Sequence, residues 1–168
     1  MTNTLSAISS IVASGAIMLG ISGCGTTSSV NQPMSGPAWQ GPVYAMGTCK
    51  TTDSDASQET CNELRDKVQY GLIKRGLYAK STGAARRTVN LTITDFRDVG
   101  AWGRAWGGVM AGKDALEATV DVIDNQSGKV VGSANASTFN VTALNTTEGS
   151  MIGSVSEQLV EFLASGTN

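Results

Sequence analysis

Histidine is absent from this chain of 168 residues. That removes the commonest general base near neutral pH and the commonest zinc ligand. It also removes the usual serine–histidine–aspartate arrangement. Charge is scarce: Asp, Glu, Lys and Arg together make up 15% of the residues, and the net charge is −2. Such a balance carries no electrostatic signature of nucleic-acid binding. No Lys, Arg, Asp or Glu precedes Lys50.

The charges that follow are uneven. Lys74, Arg75, Lys80, Arg86, Arg87, Arg97 and Arg104 outweigh Asp95 and Asp98, whereas from Asp114 onward only Lys129 opposes the acids. Two readings follow. One is a basic patch for an acidic partner or a lipid headgroup. The other, which we take as the expectation, is neighbouring strands that pair opposite charges across a sheet.

The uncharged start has a pattern of its own. Leu5 to Ile21 are apolar or small, and within them Ile11–Ile21 has the length of a signal-peptide apolar region and is short for a membrane span. The α-amino group is the only positive charge at this end. Ile21-Ser22-Gly23-Cys24 resembles a bacterial lipobox, with an apolar residue, two small ones and then cysteine. The resemblance implies removal of residues 1–23 and attachment of a diacylglyceryl group to Cys24. Two or three acyl chains give stable anchoring, at about 0.8 kcal/mol per buried methylene. Gly25 after Cys24, rather than Asp, agrees with sorting to the periplasmic face of the outer membrane. Residues 24–42, rich in Gly, Ser, Thr and Pro, read as a flexible tether spanning roughly 24 Å.

With Cys24 assigned to lipid, Cys49 and Cys61 remain, in a domain expected to be exported, where disulfides persist. A bond between them would remove roughly 3 kcal/mol of unfolded-state entropy. Their spacing matches neither a CxxC redox pair nor a zinc pattern.

Residues 43–168 read as one domain. Val43–Cys49 predicts a strand. Cys61, Leu64, Val68 and Leu72 recur at three and four residues, which predicts a helix over 57–75, capped by Asp55 or Ser57 and stopped at Gly76. Val89, Leu91 and Ile93 alternate with polar residues, as do Leu116, Ala118, Val120 and Val122, and each run predicts a half-buried strand. Asp124 to Gly128 predicts a turn into a strand over 129–139. Leu77–Lys80 is a candidate short edge strand. Ile152, Val155, Leu159, Phe162 and Leu163 predict a second helix over 147–163. The order implies an α+β fold, a mainly antiparallel sheet with two helices packed on one face.

No motif points to a reaction, so we expect no enzyme, no cofactor and no metal. Gly107 to Lys113 matches GxxxxGK, but Asp114 stands where a Ser or Thr would hold Mg²⁺. Asp95, Asp98, Asp121 and Asp124 lack the alternate-oxygen spacing of a calcium loop. The unusual segment is Gly100 to Gly112, with Trp102 and Trp106 four apart, Met110 continuing the spacing, and Arg104 between the tryptophans. It is either a surface that touches membrane or another subunit, or a packed loop between strands.

Val89–Arg97, the glycine-rich segment through Gly112, Ala115–Asp124 and Ser127-Gly128-Lys129-Val130-Val131 together resemble the bacterial lipoproteins of domain-of-unknown-function class 4410. The resemblance runs from about Tyr44 to the C-terminus and implies location and architecture rather than a reaction. The expected function is therefore that of a non-enzymatic binding or assembly module of the cell envelope. Its partners would be the membrane, through the lipid, and an envelope protein or a second copy. The alternative is a small-ligand-binding envelope protein that uses Trp102 and Trp106 as stacking platforms.

Overall fold

The computed structural model describes residues 25–36, 41–81, 83–98, 114–140 and 148–166. Cys24 and residues 1–23 lie outside them, as do Trp102, Arg104, Trp106, Met110 and the GxxxxGK match. The described elements are β1 (Thr26–Gln32), β2 (Tyr44–Thr51), α1 (Gln58–Lys74), β3 (Arg87–Arg97), β4 (Asp114–Asp124), β5 (Val130–Asn140) and α2 (Glu148–Ser165).

The alternation along β3 and β4 does what a period of two requires. Val89, Leu91 and Ile93 are buried, as are Leu116, Ala118, Val120 and Val122, while the residues between them stay partly accessible. These side chains form a single apolar cluster with Cys61, Leu64, Val68 and Leu72 of α1 and with Ile152, Val155, Leu159 and Leu163 of α2. The two helices meet at Gly71, where a β-carbon would lie 2.7 Å from Val160 Cγ2, so only glycine allows this approach. At the start of α1, Ser57 rather than Asp55 is the cap; its hydroxyl accepts the Thr60 amide at 3.0 Å. The β4–β5 turn closes with Gly128 at φ +68°.

The strand order is β1-β5-β4-β3-β2. β1–β5, β5–β4 and β4–β3 are antiparallel, but β2 and β3 run parallel, so the sheet is mixed rather than purely antiparallel. The reason is connectivity. α1 carries the chain from the end of β2 back to the end where β2 began, and β3 then starts beside it in the same direction. Tyr78 forms an isolated bridge with Tyr44, so the Leu77–Lys80 segment does add a short piece along the β2 edge.

One expectation is overturned. Residues 26–32, assigned to a flexible tether, are strand β1, paired with β5 from Thr26↔Thr138 to Gln32↔Ser133. β1 is nearly all exposed and buries no apolar face. Main-chain pairing holds it, together with hydroxyl contacts of Thr26 with Thr138 at 3.1 Å and Thr27 with Ser137 at 2.9 Å. A strand stabilised this way leaves no apolar periodicity to read.

Candidate functional site

The topology sorts the chemistry to two ends of the sheet. At one end, Gly25, Phe139, Ala115 and Arg97 form a row across β1, β5, β4 and β3. The Gly25 carbonyl accepts the Phe139 amide at 3.1 Å, Phe139 pairs with Ala115, and Ala115 pairs with Arg97. The segment carrying Trp102, Arg104, Trp106 and Met110 is flanked by Asp98 and Asp114, so it leaves and rejoins the sheet at this end. Cys24, which ends the lipobox-like motif, immediately precedes Gly25. At about 4.8 Å between strands, the three steps of the row span roughly 14 Å. The fold thus brings Gly25 and both flanks of the Trp segment together.

The disulfide joins Cys49 of β2 to Cys61 in the first turn of α1, with Cα atoms 5.8 Å apart. It ties the helix start to the sheet near this same end.

The opposite end is basic. Lys74 and Arg75 close α1, Lys80 and Arg86 lie on the connection to β3, and Lys129 follows the β4–β5 turn, all of them exposed. Asp124 sits among them. Cations at the end of α1 complement its carbonyl pole. Asp124 serves the turn. Its carboxylate accepts both the amide and the hydroxyl of Ser127 at 2.7 Å, and these bonds hold its pKa below the ordinary 3.8. An open cavity of about 290 Å³ lies here, lined by Ala85, Arg86, Asp124, Asn125 and Gln126.

Beneath this end is a feature that pattern reading missed. Arg87 is 2% exposed, yet its guanidinium donates to the Ser35 carbonyl at 3.0 Å and to the Gly166 carbonyl at 3.4 Å. α2 has no basic residue in its last turn, and Arg87 supplies that cation from the sheet. Tyr44, fully buried beside it, donates its hydroxyl to the Leu163 carbonyl at 2.9 Å. Burial raises the Tyr44 pKa above its ordinary 10.0, and the Arg87 hydrogen bond and charge oppose that rise. The signal for Arg87 was parity, since it falls two residues before Val89 in the inward series 87, 89, 91, 93.

The described strands include a cross-strand pair of opposite charges, Arg87 and Asp124, and the Arg87 charge contributes to lowering the Asp124 pKa. The guanidinium itself donates to the Ser35 and Gly166 carbonyls. Asp95 stands opposite Glu117, and Asp121 between Asn90 and Ser133. The four aspartates therefore spread along the strands. Among the described residues, no group of three His, Cys, Asp or Glu is placed to hold a metal ion. Also among them, no helix is long and apolar enough to cross a membrane.

A five-stranded mixed sheet with two helices, stapled by a disulfide, defines a small α+β module. The family described as domain of unknown function DUF4410 matches residues 25–155, and the chain belongs to that family. The match takes in β1, in keeping with its place in the sheet. No curated protein matches the sequence. Among solved structures, the chain is similar to the PelC dodecamer from Paraburkholderia phytofirmans, at 16% identity, covering 82% of this chain and 96% of that one with a TM-score of 0.59. It is also similar to a Xanthomonas campestris protein of the DUF330 family, at 13% identity, covering 80% and 91% with a TM-score of 0.51. A weaker likeness, at 11% identity and TM-score 0.44, is to lipoprotein GNA1162 from Neisseria meningitidis, covering 77% and 99%. At these identities the likeness is one of fold.

Proposed function

We propose that the mature protein is a non-enzymatic lipoprotein of the cell envelope, anchored through Cys24 at the periplasmic face of the outer membrane, that works as a binding or assembly module. The observation that carries this is the Ile21-Ser22-Gly23-Cys24 motif placed directly before the folded domain. In this reading both helices cover the apolar face of the sheet, and the Gly/Trp segment with Trp102, Arg104, Trp106 and Met110 is a contact surface. Support for the latter is that its flanks share a sheet end with Gly25.

Self-association is the partner we favour, because a protein of similar fold assembles as a dodecamer. The test is sedimentation of the detergent-solubilised, lipid-bearing protein. The wild type should sediment as an oligomer, and a variant with Trp102→Ala and Trp106→Ala should lose it while unfolding at nearly the same urea concentration. A wild type that stays monomeric at every concentration contradicts self-assembly. If each substitution instead costs about 3–5 kcal/mol, as buried aromatics do, the segment is core rather than surface.

A further inference from the structure

The anchored reading fixes the position of Cys24 relative to the sheet, and this inference rests on that reading. β1 begins at Thr26, so two virtual bonds of 3.8 Å separate the acylated residue from the first strand residue, at most about 8 Å. A tether reaching to residue 42 would have let the domain wander roughly 24 Å from the bilayer. Here the sheet starts almost at the lipid.

What stands at that place is suited to a lipid surface. Phe139 is 40% exposed although it lies in a strand of the sheet. Its ring lies across Gly25, where a β-carbon would come within 2.6 Å of the ring atoms Cε2 and Cζ. The residue after the lipidated cysteine is therefore in direct contact with an exposed aromatic ring. Phe, like Trp and Leu, is a side chain that surface-bound segments bury at the boundary between headgroups and acyl chains. Arg97, exposed at the far end of the same row, has the reach and charge to meet headgroup phosphates.

We propose that the sheet end formed by Gly25, Phe139, Ala115 and Arg97 is seated on the lipid surface. The lipid anchor then sets the domain's orientation as well as its location. β1 runs away from Cys24 for its whole length, about 23 Å at 3.3 Å per residue, so the end bearing Lys74, Arg75, Lys80, Arg86 and Lys129 is presented to the periplasm.

The test uses the lipid-bearing protein in vesicles of phosphatidylethanolamine and phosphatidylglycerol. Single thiols from Phe139→Cys, Arg97→Cys and Gln126→Cys are each labelled with a bimane fluorophore. Lipids carrying a nitroxide high on the acyl chain should quench labels at 139 and 97 several-fold more than the label at 126. Having two positions in the row covers the case in which one variant fails to fold. If vesicle-bound protein shows equal, weak quenching at all three positions, the seated end is wrong while the anchor stands. A label at 139 that is shielded from both lipid nitroxide and aqueous iodide places another protein copy there, and also overturns the proposal. Protein that does not float with the vesicles overturns the anchored reading and this inference with it.

Discussion

Replacing Arg87 with methionine keeps the length of the side chain and removes its donors. In the native structure the guanidinium donates to Ser35 and Gly166, joining the segment after β1 and the end of α2 to the start of β3. A hydrogen bond from a charged donor is worth about 1.5–3 kcal/mol, and an orphaned buried carbonyl costs about 1–3 kcal/mol. The 3.0 Å bond counts fully and the 3.4 Å bond only weakly. Against this, the variant no longer buries a charge, which returns part of the loss. The net expectation for Arg87→Met is a loss of roughly 2–4 kcal/mol in urea denaturation. Arg87→Lys should fall between the variant and the wild type, because a lysine is a point donor without the two-pronged fork. Native-state hydrogen exchange should show the last turn of α2 opening more readily in Arg87→Met, since its carbonyl pole has lost its cation. A change below about 0.5 kcal/mol, with unaltered exchange over residues 162–166, would refute the reasoning; surface substitutions away from such features have effects of that size.

Two further outcomes follow from the same structure. Cys49→Ser with Cys61→Ser opens a link across a sequence separation of 12, and should cost about 3 kcal/mol in chemical denaturation; a stable, unchanged double variant would show that the staple contributes nothing. The Asp124 carboxyl should titrate below 3.8 by NMR, and Ser127→Ala should move it upward. A carboxyl whose pKa is lowered by folding contributes stability that is complete above the unfolded value and is lost as pH falls through the folded one. The turn should therefore loosen only in acid below 3.8, and loosening between pH 4 and 6 would contradict the assignment.

Much of the fold was legible because burial leaves periodic traces. Leu64, Val68 and Leu72 mark the inner stripe of α1, and Leu116 to Val122 mark the inner face of β4. The disulfide was legible by elimination, once Cys24 was set aside. β1 was not, since Thr26, Thr27, Ser28 and Ser29 are held by backbone and hydroxyl pairing and resemble a linker in composition. The parallel β2–β3 pair follows from α1 acting as a crossover, which becomes visible only once the two strands are known to be neighbours. At the candidate site, the pattern singled out the Trp segment but not the row that joins its flanks to Gly25, because that row depends on strand order. Arg87 was hidden by the general expectation that arginine faces solvent; the parity of β3 outweighs it.

The central claim is that this chain works from a lipid anchor, and intact-mass analysis of the mature protein from the membrane fraction tests it directly. The account predicts a polypeptide that begins at Cys24 and carries the added mass of a diacylglyceryl group, and predicts that Cys24→Ala abolishes both the added mass and the membrane association. A soluble wild-type protein that retains Met1 and has no acyl mass would contradict it.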